Sequence, residues 1–157
     1  MNRTFIEQLI LKHEGSRLSV YKDTRGNLTI GVGFNLDSLN APSICSMFGI
    51  NYEAVASGEA SLTQAQVDEV FEYQLSLVMG SAMQIFPTFI MMPDNVQAAI
   101  CDMIFNLGMG GFVKFTQTIA DLKAGNYSQA AHDALNSEWA KQVPSRAADD
   151  ARLLEAG

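Results

Sequence analysis

Glu14 and Asp23 raise the question of chemistry. Glu14 falls in the last turn of a segment with helical spacing, directly before Gly15, where unpaired carbonyls form a negative helix end that disfavours a carboxylate. A residue that breaks a local rule invites a functional reading. The helix end and partial burial both favour the protonated carboxyl, the form a general acid needs. Asp23 sits in a turn-rich run, Lys22-Asp23-Thr24-Arg25-Gly26-Asn27, where water and backbone donors would keep it ionised. Two carboxylates in contrasting environments are a pattern of glycoside hydrolysis. The pair alone does not decide the matter, because an Asp in a turn is most often a cap or a turn former.

The surrounding elements must hold these groups. Thr4 with Glu7 reads as a capping pair, and Phe5, Ile6, Leu9 and Ile10 form one apolar stripe of a helix that Gly15 stops. After the turn, residues 28–34 alternate as a strand, with Leu28, Ile30 and Val32 on one face and Thr29, Gly31 and Gly33 on the other. The glycine-bearing face lets another group approach the backbone closely. Strand patterns then disappear. The spacing predicts a short helix over 42–48, a long one over 63–86 opened by a Thr63/Gln66 capping box, and a nearly all-apolar one over 96–107 capped by Asp94. Gly108, Gly110 and Gly111 loosen the chain before shorter helices over 116–124, 128–135, 137–141 and 145–155. The expected fold is α+β but mostly α. It is a single domain with a small N-terminal lobe of about 12–62 carrying a β-hairpin, a long connecting helix, and a helical lobe of 63–157 plus the first helix.

Composition narrows the function classes. The chain has 157 residues, 48% hydrophobic and 17% charged, which excludes a disordered chain. Its net charge of −7 argues against a protein that grips nucleic acid by neutralising phosphates. The charge is uneven: residues 1–25 carry +2, residues 26–113 contain no Lys or Arg and carry −8, and residues 114–157 carry −1. Cys45 and Cys101 are too few for a disulfide framework and read as small buried hydrophobes. The first residues, broken by Glu7 and Gln8, do not form a secretory signal, and the apolar stretch 85–92 is interrupted by Pro87 and too short to span a bilayer. His13 and His132 have no metal partner in the pattern, and Trp139 and the eight methionines read as core filling.

The string His13-Glu14-Gly15-x-Arg17-Leu18-x-x-Tyr21-Lys22-Asp23-Thr24-x-Gly26-x-x-Thr29-Ile30-Gly31-x-Gly33 resembles the active-site hairpin of the phage-type (T4-like) lysozymes, the endolysin family. Asp102 to Gly108, Phe115-Thr116, Ala130-Ala131 and Ser137-x-Trp139-x-x-Gln142-x-Pro144-x-Arg146-Ala147 resemble that family's helical lobe in the same order. The resemblance implies a muramidase that cuts the β-1,4 bond between N-acetylmuramic acid and N-acetylglucosamine in peptidoglycan. It places Glu14 on the proton donor, Asp23 on the second catalytic carboxylate and Thr29 on the threonine that helps hold the attacking water. Inversion at the anomeric carbon would follow, with carboxyls about 6.5–9.5 Å apart to leave room for that water. The competing reading is a catalytically inactive peptidoglycan-binding or structural module that keeps the fold.

The resemblance also places Gly33, Asn35, Phe105, Thr118 and Asp133 at substrate positions and Arg146 near the catalytic acid as a supporting residue. Phe105 reads equally well as a core residue of its apolar helix. Phe34 stands where a familiar member has histidine. Arg146, if paired with Glu14, would oppose the effects of helix end and burial. No metal and no cofactor is implied. The implied protein is a monomer acting on peptidoglycan glycan strands, without nucleic acid or stable membrane association. It accumulates in the host cytoplasm until lysis and relies on a separate holin-type permeabiliser.

Overall fold

Asn2 starts the first helix. The computed structural model describes residues 1–157, and in it α1 (Arg3–Glu14) opens with the Asn2 side-chain oxygen accepting the Phe5 N–H at 3.1 Å. The cap is therefore Asn2 and not Thr4, which lies inside the first turn; the free N–H groups of a helix start are met two residues earlier than expected. The helix ends as expected at Gly15, whose φ of +69° few other residues adopt without strain. The chain divides into two compact units, Leu11–Leu75 and Met1–Ile10 with Ser76–Gly157.

In the Leu11–Leu75 unit, β1 (Arg17–Lys22), β2 (Leu28–Gly31) and β3 (Phe34–Asn35) form an antiparallel sheet in the order β1-β2-β3. The single strand expected over 28–34 is broken. Gly31 and Gly33 both have positive φ, +62° and +60°, so the chain reverses there and Phe34 returns opposite Ile30. The alternation of faces consequently stops at Ile30, because it holds only along extended backbone. α2 (Ala41–Met47) carries a proline in its first turn. α3 (Tyr52–Ala56), unforeseen in the sequence, is capped by Asn51. α4 (Gln64–Ile85) opens on the expected box, with Thr63 Oγ1 accepting from the Gln66 N–H at 3.1 Å and Gln66 Oε1 accepting from the Thr63 N–H at 3.0 Å. Ile30, Phe34, Leu36, Cys45, Val55, Val67 and Phe71 fill the core beneath the sheet and these helices.

The second unit is helical. α5 (Asp94–Phe112) runs past the expected stop at Leu107, kinked at Gly108, where φ is +68° and ψ is 161°. Asp94 does not cap it; it is the first helical residue, and its carboxylate pairs with the N-terminal amine at 3.1 Å. α6 (Thr116–Ala124), α7 (Tyr127–Leu135), α8 (Glu138–Gln142) and α9 (Pro144–Glu155) follow close to their expected bounds, and a 3₁₀ turn at Phe89–Met91 was not foreseen. Phe86, Phe112, Phe115 and Trp139 make an aromatic chain with ring centres 6.1–6.5 Å apart, and Trp139 donates its indole N–H to Asn106 at 2.8 Å. The methionines divide: Met79, Met92 and Met103 are buried, but Met1, Met47, Met83 and Met91 are exposed. Both cysteines are buried and free. No helix is long and apolar enough to cross a membrane.

One charged cluster lies inside the helical unit. Arg146 on α9 grips Asp102 on α5 with two parallel hydrogen bonds, Nε to Oδ2 at 2.7 Å and Nη2 to Oδ1 at 2.9 Å, and Asp102 is wholly buried. Losing one partner of such a pair costs about 3–5 kcal/mol, since the other charge is left in the core. Asp150, one turn along α9, is equally buried, and no donor reaches either of its oxygens. A bare carboxylate is untenable there. Burial first, then the charge of Asp102, push its pKa well above the ordinary value despite the opposing Arg146, and the protonated group donates toward Asp102. The folded chain thus holds a proton that the unfolded chain releases at ordinary carboxylate pH, so stability falls as pH rises from there toward the raised Asp150 value. The slope is at most about 1.4 kcal/mol per pH unit. Asp150→Asn, a neutral mimic, removes this slope: in urea denaturation from pH 4 to 8 its advantage over wild type grows with pH, whereas parallel curves would show that Asp150 is ionised in the fold.

Candidate active site

The C-terminal end of α1 delivers Glu14 to the β2–β3 turn. A methyl group at Gly33 would lie 2.7 Å from Glu14 Oε2 and 3.0 Å from its carboxyl carbon. The carboxyl therefore lies directly on the glycine backbone, and the group foreseen to approach the glycine-bearing face is Glu14 itself. Gly33, expected to face substrate, has this structural duty beside it. Gly31 meets the methyls of Val67 and packs within the unit.

Asp23 lies half-buried in the β1–β2 turn, where it organises the loop. Its Oδ1 accepts the N–H groups of Arg25 and Asn27, both at 2.9 Å, and its Oδ2 accepts the Asn27 amide at 3.3 Å. Desolvation pushes its pKa up, but these donors, with the Arg25 charge, outweigh it and hold the carboxyl below its ordinary value. The turn-former reading and the ionised-carboxylate reading are both realised in one residue. Thr29, opposite Tyr21 on the sheet, is only 3% exposed, and its hydroxyl donates to the Asn27 carbonyl at 3.0 Å. That leaves its lone pairs free to accept. Asn35 pairs with Thr29 across β2–β3, is exposed, and accepts the Asp37 N–H at 2.8 Å.

Arg17 and Tyr21, quoted in the sequence string without a role, also belong to this group. The Arg17 guanidinium lies 4.3 Å from the centre of the Tyr21 ring. Burial, then the Glu14 carboxylate, raise the phenol's pKa, with Asp23 adding and Arg17 opposing. Residues four apart in a strand are not neighbours, so only the irregularity in β1 between them could have signalled the contact.

The remaining candidates lie in the helical unit. Phe105 on α5 is half-buried, which suits neither a pure core residue nor a fully open one. Thr118 on α6 is 2% exposed. Asp133 on α7 accepts from the Gln129 amide at 2.9 Å and lies 3.4 Å from the ring of exposed His132. Arg146 makes the buried bidentate pair with Asp102 described above, a partner the sequence did not suggest.

Relatives of known kind bear on this arrangement. Probable T4-type lysozyme 1 of Dictyostelium discoideum is 27% identical over 97% of this chain and 94% of its own length. The endolysin of Salmonella phage P22 is 31% identical over 78% of this chain and 73% of its own. The pre-baseplate central spike protein of Enterobacteria phage T4 is 26% identical over 96% of this chain, which spans 27% of that protein. Residues 11–149 match the phage lysozyme family. With a mostly helical chain, a three-stranded sheet and the Glu14 hairpin, that match shows that the chain belongs to the phage lysozyme family of glycoside hydrolases.

Proposed function

We propose that the protein is an endolysin-type muramidase that hydrolyses the β-1,4 bond between N-acetylmuramic acid and N-acetylglucosamine, with inversion. The observation that carries this reading is the contrast between its two carboxyls: Glu14 laid on Gly33 at a helix end, and Asp23 held by three donors in the β1–β2 turn, which keep it ionised. Glu14 protonates the leaving oxygen. Asp23 takes one proton from the attacking water, and Thr29, its own proton committed to Asn27, accepts a hydrogen bond from the O–H that the water keeps and aims its oxygen. Gly33 and Asn35, in the unit that carries Glu14, contact the glycan, whereas Thr118, 2% exposed, is too buried to touch it. The biological role is host cell lysis by a monomer that stays in the host cytoplasm until a separate holin-type partner opens the way to the wall; the P22 relative, named endolysin, supports the role.

The similarity to a phage spike protein favours one second reading, a wall-binding or structural module that has lost turnover. The two readings part on reducing ends: pull-down on insoluble peptidoglycan without their release would support the second. Glu14→Gln tests the first. It is expected to fold normally and to lose at least about a hundredfold of the clearing of outer-membrane-stripped Gram-negative cells, the scale of a positioned general acid; full activity would remove Glu14 from that role. Gly33→Ala is expected to lose activity on the order of tenfold to a hundredfold through displacement of the Glu14 carboxyl, with only about 1–2 kcal/mol of stability lost to the positive φ. A variant that unfolds, or one as active as wild type, would contradict this account of Gly33.

A further inference from the structure

The reaction as described leaves the Arg17 guanidinium without work. In an uninterrupted strand the α-carbons of Arg17 and Tyr21 would be about 13 Å apart, yet the guanidinium stands over the Tyr21 ring, 4.3 Å from its centre. The register explains the closeness: Arg17 faces Gly31 and Tyr21 faces Thr29, so β1 carries two extra residues between them and bends. Tyr21 and Thr29, directly opposite in the ladder, share one face of the sheet, and the stack brings the guanidinium to that face. The ring is half-buried, whereas Arg17 is exposed and meets no carboxylate of the protein. Stacking occupies the flat side of a guanidinium and leaves the N–H groups at its edge to bind a planar anion. The charge of the unit agrees. Lys12, Arg17, Lys22 and Arg25 are the only Lys and Arg between Leu11 and Leu75, and all fall in the segment that supplies Glu14 and Asp23.

We propose that Arg17, clamped on Tyr21, is a specificity-determining residue that binds a carboxylate on the side arm of N-acetylmuramic acid, be it that of the lactyl group itself or one on the peptide the lactyl group carries. The inference rests on the muramidase reading. Such an arm stands on every second sugar of peptidoglycan and on none of a plain N-acetylglucosamine chain, so the contact tells the two polymers apart. The carboxylate is the same before and during bond cleavage, and the contact therefore lowers KM and leaves kcat nearly untouched. The clamp strengthens it, because the freedom of the long side chain is lost before substrate arrives.

Three substrates test this: glycan strands with their peptides, the same strands with free carboxylates converted to methylamides, and strands stripped of peptide by an amidase, which expose lactyl carboxylates. On untreated strands Arg17→Met, which keeps an apolar stem for the ring, is expected to raise KM roughly tenfold to a hundredfold, the scale of a lost charged hydrogen bond, with kcat near wild type. Methylamidation should raise the wild-type KM by a similar factor and leave that of Arg17→Met unchanged, a pattern that a structural defect would not produce. Stripped strands identify the source, since the gap between the two proteins persists there for a lactyl carboxylate and closes for a peptide one. Wild-type KM in Arg17→Met on untreated strands, or an equal loss on untreated and methylamidated strands, would overturn the proposal. Either result beside a wild type that releases reducing ends defeats this inference alone, whereas a wild type that releases none from any of the strands defeats the muramidase reading and this inference with it.

Discussion

The Glu14 carboxyl rests on the α-carbon of Gly33 so closely that no side chain can stand between them. Two backbone features make the contact possible. Gly15 leaves the helix in a left-handed conformation, so α1 stops with Glu14 as its last residue, and Gly33 reverses the chain into β3 with the same sign of φ. A longer helix would carry the carboxyl away, and a side chain at Gly33 would push it off. The Glu14 carboxyl is thereby confined by backbone on one side, at the last residue of α1.

The second carboxylate is built on the opposite principle. Asp23 is surrounded by donors from its own loop, so the interactions that fold the turn are the ones that keep it charged. The turn and the candidate base are one structure, and a change that loosens the loop also alters the chemistry. Thr29 follows the same economy, because the hydrogen bond that ties its hydroxyl to Asn27 also fixes which of its orbitals remain to accept. In the helical unit the charge problem is met differently: Arg146 neutralises Asp102 directly, and Asp150 is left to solve its own burial by binding a proton. Net charge plays little part in any of this. The −8 of residues 26–113 bears on encounter with an anionic wall and on salt response, while the candidate catalytic carboxyls are set by contacts of a few ångströms.

Much of this was legible in the residues. Glu14 before Gly15 announced a carboxylate at a helix end, the turn composition announced Asp23 and its donors, and Thr63 with Gln66 announced the start of α4. Long periodic helices were legible because burial and period coincide in them. The failures share a cause. Residues 28–34 alternate like a strand, but two glycines with positive φ turn the chain, and alternation does not report φ. Asn2 and Thr4 are both good caps, and the choice between them depends on which turn the rest of the chain can satisfy. The Arg17–Tyr21 stack needs a bulge, and the Asp102–Arg146–Asp150 cluster joins residues 44 to 48 positions apart, so neither is visible in local spacing.

The account stands or falls on Glu14 and Asp23 acting from opposite faces of one sugar, acid on one side and water on the other. The configuration of the first product reports this directly. Peptidoglycan glycan strands digested in an NMR tube, with anomeric proton signals followed before mutarotation, should show the α-anomer of the new reducing end appearing first. A β-anomer formed first would mean a covalent or equivalent double-displacement route and would contradict the assignment of Asp23 to the water.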